Sequence, residues 1–427
     1  MTLFNLVAVL VVCAAVFAYL NHRYVRFPST IGIMALAMIF SSVMLLLDAF
    51  GISSIGKQAK VIVGSIDFNG TLMTVMLGFL LFAGSLHVDL EELFAKKWEV
   101  FVLSTIGVLV SMALAGAGMY LVLQIIGHPV PFIYCLLFGA LISPTDPVAV
   151  IGILSRSGVP DSLRIKIAGE SLFNDGIGVV VFAVLLGMIP GAGEHVTTPQ
   201  GIGLLFLREA IGGVLFGFII GYVGYRALKS INDYETELLI TLALVIGGYA
   251  FSLWTHISGA LAIVVAGLMT GNQGRRLAMS DETREHVDLF WKLVDVVLNA
   301  VLFVLMGLEI LVIRITPLTA VAGVIAIVIS LLARVVSVSL PVAVMKLFGR
   351  RFSDGAVRIM TWGGLRGGIC IALALSLPNG SERDLILTIT YFVVAFSILV
   401  QGLTVESLIM RIGGKRELVG SADIVGH

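Results

Sequence analysis

Polar breaks divide the chain into apolar runs of about 17 to 30 residues, and such runs recur along almost its whole length. Each is long enough to cross a hydrocarbon core of about 30 Å at about 1.5 Å per helical residue. They predict about thirteen helices, starting near residues 3, 29, 69, 98, 131, 165, 203, 234, 257, 287, 316, 355 and 384, with no soluble domain of useful size between them. The first run, residues 3 to 20, has no basic residue before it and is followed by Arg23 and Arg26. It lacks the charged start of a cleavable signal peptide and is expected to remain as the first helix.

Two of the expected helices carry breaks. The fifth, about 131 to 153, contains Pro144 and Pro147. Each proline removes a backbone donor and pushes the residue before it, Ser143 or Asp146, toward extended conformations. The twelfth, about 355 to 378, contains Gly363, Gly364, Gly367 and Gly368 around Arg366. Interruptions at matching places in two halves point to a transporter built from inverted repeats, with its site at the breaks near the membrane midplane. Helices one to six and eight to thirteen would be the repeats, and the seventh a linker.

Composition agrees: 58% of residues are hydrophobic and 13% charged, against about 25% charged in an average soluble domain. Cys13, Cys135 and Cys370 fall in apolar runs without CxxC or His/Cys spacing, which argues against zinc, a disulfide scaffold or redox chemistry. The basic residues set the orientation. With the amino terminus outside, nineteen of the 27 Lys and Arg residues fall on the cytoplasmic side. Lys57, Lys60, Arg208, Arg314 and Arg383 fall on the other side, and Lys292, Arg334 and Arg366 within helices. The carboxyl terminus is then expected in the cytoplasm.

Three acids stand inside these apolar segments: Asp146 in SPTDP (143–147), and Glu170 and Asp175 in GESLFNDG (169–176). A charge at the bilayer centre costs about 2.5 to 3.5 kcal/mol on insertion scales, so such groups pair, line a water-filled cavity or carry an ion. Residues four apart share a helix face, which puts Ser171 with Asp175 in one row and Glu170 with Asn174 in the next, about 100° away. One row can line a cavity while the other holds neighbouring structure in place. In the fifth segment the break frees backbone carbonyls beside Asp146 and the Thr145 hydroxyl. Asp146, Asp175, Ser171, Thr145 and those carbonyls are all hard oxygen donors, suited to a small monovalent cation and not to a soft metal. A proton and a cation can each neutralise a carboxylate in a low-dielectric site, and their competition is the minimum chemistry of an exchanger. Glu170 needs a partner, for which Arg334 is the best candidate and Arg366 the next. Asn174 either orders the helix break or touches ion or water.

Other signals are weaker. The glycine run around Arg366 lacks the preceding strand and GKS/T ending of a phosphate loop, so no nucleotide is expected. Gly213, Gly217 and Gly221 make a stripe for close helix packing. Lys292 and Asp295 are spaced to pair at i,i+3 near a membrane face. The seven histidines fall near expected loops or segment ends, and nothing singles one out.

SPTDP at 143–147, GESLFNDG at 169–176, ARVVSV at 333–338 and GGLRGG at 363–368, in this order and spacing, resemble the NhaP-like sodium/proton antiporters of the monovalent cation:proton antiporter superfamily. The resemblance covers essentially the full length. It implies a homodimer in which scaffold helices one to three (residues 1–97) and seven to ten (191–314, the seventh as linker) hold a six-helix core. That core would be helices four to six (98–190) and eleven to thirteen (315–410), with 411–427 a short cytoplasmic tail. The core would move against the scaffold like an elevator. Asp146 and Asp175 would carry ion and proton, Ser171 and Thr145 would help coordinate, and Glu170 would be tied to Arg334. Asn174 would stand in an asparagine-aspartate pair similar to that of electroneutral, one-for-one exchangers. Some relatives carry a membrane acid on the third helix, whereas residues 71–86 here contain none.

The expectation is an all-α membrane protein of the sodium/proton antiporter fold, in a cell membrane and, from its short tail, similar to prokaryotic members. It would be no enzyme, with no cofactor and no nucleic-acid partner, and would exchange sodium, potassium or lithium for protons. A cation channel using the same acids as a selectivity ring, and a proton-coupled carrier of an organic solute, are the alternatives.

Overall fold

The computed structural model describes residues 3–51, 60, 63–64, 68–146, 161–190, 198–350, 352–353 and 355–422. Lys57, Pro147 and the second half of the fifth expected helix lie outside these residues. The described residues fold as helices and their connections, with one isolated antiparallel bridge between Asp146 and Leu365. Among the described residues ten helices are long and apolar enough to cross a membrane, and three shorter or interrupted segments lie where the remaining expected helices begin. In chain order the first six are α1 (Leu3–Leu20), α2 (Ser29–Ala49), α3 (Phe68–Leu86), α4 (Lys97–Ile125), α5 (Phe132–Ile142) and α6 (Asp161–Leu186). Helix α7 is Pro199–Lys229. Then follow α8 (Tyr234–Thr255), α9 (Gly259–Met269), α10 (Asp281–Leu308), α11 (Pro317–Leu347), the broken α12 and α13 (Ser381–Phe396), which continues through a π turn into Gly402–Ala422. The two pieces of α12 are α12a (Ala356–Trp362) and α12b (Gly368–Leu375). The breaks therefore fall in the fifth helix of the first six and the fifth of the last six.

Helix starts follow local chemistry. The side chains of Thr198, Asp233, Ser258, Ser280 and Thr316 accept backbone N–H bonds at the starts of α7 to α11. They satisfy donors that the first turn of a helix leaves open. Helices α7 and α11 also begin on a proline, whose missing N–H costs nothing there.

Packing ties α4 to α5, α6 and α11, and α13 to α11 and α12b. A second set joins α3, α7 and α8 to α9, and α1, α2 and α3 to α10. Trp291 of α10, fully buried against Phe82 of α3 with centroids 4.6 Å apart, donates its indole N–H to Thr241 of α8 at 3.0 Å. The stripe Gly213, Gly217 and Gly221 lies on α9, where a Cβ on Gly217 would come 2.5 Å from the Ala262 carbonyl oxygen. Cys135 and Cys370 are buried in the main apolar core, which Cys13 adjoins.

The crossing of α4 and α5 is tighter still, because a Cβ on Gly139 would lie 2.2 Å from the Met112 carbonyl oxygen. Gly139→Val is therefore expected to push the helices apart at a cost of about 1 to 3 kcal/mol, read as a lower melting temperature in detergent. Gly247→Ala on α8, where a Cβ meets nothing within 4 Å, should leave melting unchanged or slightly raised.

Candidate ion-binding site

The site begins where two helices stop. Helix α5 ends at Ile142, Ser143 Oγ bonds back to the Gly139 carbonyl at 2.7 Å, and the chain runs on without helical bonds through Pro144, Thr145 and Asp146. Helix α12 opens between Trp362 and Gly368. The two openings cross, and the Asp146 N–H donates to the Leu365 carbonyl at 2.7 Å. Arg366 Nη1 donates to the Ser143 and Pro144 carbonyls at 2.5 and 2.9 Å, while its own N–H donates to Ser397 Oγ at 2.9 Å. A guanidinium thus sits on the carbonyl end of a half-helix, where the macrodipole is negative. On the other piece, the Met360 carbonyl accepts from Arg334 Nη2 at 3.2 Å and the Trp362 carbonyl from Gln401 Nε2 at 3.2 Å. Gly367 has to lack a side chain, since a Cβ there would stand 2.7 Å from Asp146 Oδ2.

Helix α6 closes the crossing from one side. The Asn174 amide accepts the Thr145 N–H at 3.3 Å and donates to Thr145 Oγ1 at 2.8 Å, and that hydroxyl lies 3.0 Å from Ser171 Oγ. One row over, Glu170 Oε1 accepts from Arg334 Nη1 at 2.5 Å, with both side chains buried. Asp175 is also buried, at 7% exposure, and turns to a cavity of about 530 Å³.

Pro144, Asp146 and Asp175 line this cavity together with residues 367–370 of the α12 break. The rest of the lining comes largely from α3 and α10 and includes His87, just past the end of α3, with Lys292, Asp295 and Asn299. Of the residues singled out from the sequence, Asp146 and Asp175 line the cavity. Thr145, Ser171 and Asn174 form a hydrogen-bonded cluster behind them, and Glu170, Arg334 and Arg366 brace the breaks. Among the described residues there is no group of three or more His, Cys, Asp or Glu placed to hold a metal ion. The expected i,i+3 pairing of Lys292 and Asp295 does not form, because Asp295 Oδ1 instead accepts from Asn299 Nδ2 at 2.9 Å. Sequence reading missed this part of the lining. The available signal was the 292, 295, 299 spacing, which puts three polar side chains on one face of an otherwise apolar stretch.

A helix that ends at Ile142 and a second, interrupted one crossing it beside a pair of carboxylates in apolar segments fit the architecture of a secondary transporter. The family described as sodium/hydrogen exchanger, transmembrane, matches residues 10–411, and the chain belongs to it. It is similar to the Na(+)/H(+) antiporter NhaP of Pseudomonas aeruginosa, 47% identical over 411 residues and 96% of each chain. It is 36% identical to the Na(+)/H(+) antiporter NhaH of Halobacillus dabanensis over 81% of this chain and 84% of that one. Its fold matches the sodium proton antiporter MjNhaP1 from Methanocaldococcus jannaschii with a TM-score of 0.76 at 20% identity, covering 96% of this chain and 99% of that one.

Removing either partner of the Glu170–Arg334 pair leaves a buried charge uncompensated, at about 3 to 5 kcal/mol. Glu170→Ala and Arg334→Ala are each expected to lower the melting temperature strongly in a detergent melt. Arg334→Ala should be the worse, because it also releases the Met360 carbonyl. Unchanged melting in both variants would refute a bracing role.

Proposed function

We propose that this protein is a secondary antiporter exchanging sodium for protons across a cell membrane, with potassium and lithium as alternative cations. The observation that carries the reading is that Asp146 and Asp175 face one cavity at the crossing of two broken helices. The relatives named as Na(+)/H(+) antiporters support sodium as the cation. A cation arriving in the cavity exchanges water for the carboxylate oxygens, and the Thr145 and Ser171 hydroxyls, next to Asp146 and Asp175 in the chain or on the helix face, help complete an oxygen shell. On the return leg a proton takes the cation's place.

Exchange is one for one. The supporting observations are that Asn174 adds no charge beside Asp175, and that the charge of Glu170 is offset by Arg334. The moving core is α4–α6 with α11–α13, and the scaffold is α1–α3 with α7–α10, two copies pairing as a homodimer. The packing of each set within itself supports the division, and the cavity lies between the two sets.

The test uses proteoliposomes with a pH-sensitive dye inside. Sodium added to wild type should dissipate an imposed pH gradient at a rate unchanged by a membrane potential. Asp175→Asn should abolish the response while the protein stays monodisperse and helical. Retained exchange in that variant would sink the assignment of Asp175, and currents far above carrier rates would indicate a channel.

A further inference from the structure

Three carboxylates line the cavity, Asp146, Asp175 and Asp295, and the exchange mechanism above uses the first two. Asp295 stands on α10, lines the same cavity as Asp146 and Asp175, and is half-buried, with its carboxylate held by the Asn299 amide at 2.9 Å. Asn299 is itself 3% exposed, so the bond is anchored in packed structure. One turn earlier, Lys292 lines the same cavity on the same helix face without pairing to Asp295. Residues three apart on a helix are within reach of one another, so the Lys292 ammonium is a tethered counter-charge for a carboxylate that it does not hold. His87 is the other basic side chain in the lining.

We propose that Asp295, oriented by Asn299, is the scaffold-side group that draws the monovalent cation into the cavity, and that Lys292 competes with the cation for it. A charge in a concave, low-dielectric vestibule raises the local concentration of the opposite charge. Asp295 therefore acts on cation affinity and leaves the turnover step to Asp146 and Asp175. Lys292 acts through Asp295 alone. This inference rests on the exchange reading above.

The test is cation-dependent proton flux of the full-length protein in proteoliposomes, with sodium, lithium and potassium each titrated. Asp295→Asn should raise the KM for the cation roughly three- to tenfold, the size of one charge acting across a hydrated gap, with kcat near wild type. Asp295→Glu should restore the wild-type KM, and Lys292→Gln should lower it. The double variant Lys292→Gln/Asp295→Asn should have the KM of Asp295→Asn alone. An unchanged KM in Asp295→Asn, a Lys292→Gln effect that persists in the double variant, or a loss confined to kcat would overturn the proposal. Should Asp295→Asn fail to fold, Lys292→Gln decides, and an unchanged KM there counts against it. Wild type without cation-dependent flux would instead refute the exchange reading itself.

Discussion

Backbone groups freed inside a membrane must find partners in the protein, because hydrocarbon offers none and each unmet group costs several kcal/mol. In this chain two helix ends meet at the Asp146–Leu365 bridge, and much of what surrounds them answers that demand. The Asp146 N–H goes to Leu365, the Thr145 N–H to Asn174, and the Ser143 and Pro144 carbonyls to Arg366. The Met360 and Trp362 carbonyls go to Arg334 and Gln401. Each break supplies part of the other's solution, as the bridge at Asp146 and Leu365 and the reach of Arg366 to α5 make plain. Neither opening would be tolerable alone.

Meeting that demand sorts the polar residues. Arg334 serves two masters, the Glu170 carboxylate and a broken helix end, and its Nε is left buried without a partner beside Gly364. Asn174 spends both ends of its amide on Thr145, which an aspartate could not do, since a carboxylate accepts but does not donate. The Asp146 and Asp175 carboxylates belong to residues that line the cavity. Gly367 then lets Asp146 lie against the start of α12b, where the helix dipole favours negative charge.

Much of this was legible in the sequence because prolines, glycines and acids are conspicuous in apolar runs. Pro144 and the glycines around Arg366 mark both breaks, and the four-residue spacing in GESLFNDG separates the Glu170 row from the Asp175 row. The partner of Arg366 was not legible. Its side chain bonds main-chain carbonyls more than 200 residues away, and carbonyls carry no residue code. The α10 part of the cavity lining was misread for a related reason. Lys292 and Asp295 look like a self-sufficient ion pair on helical spacing alone, and only the position of Asn299 one turn on sets them against the cavity.

The hydrogen bonds that close the two breaks run among α5, α6, α11, α12 and α13, whereas much of the rest of the cavity lining belongs to α3 and α10. A displacement of the first group against α3 and α10 would leave each of these bonds intact. It would change mainly apolar contacts and the water-accessible face of the cavity. In the proposed elevator these hydrogen bonds would travel with the core. A site built instead with its braces shared between core and scaffold would have to expose unmet backbone groups to hydrocarbon at every stroke, at several kcal/mol each. In the proposed movement, placing the breaks, their braces and the carboxylate pair in one helical group would avoid that cost. Asp295 belongs to the proposed scaffold, where a charge would act on an approaching ion without tying core and scaffold together.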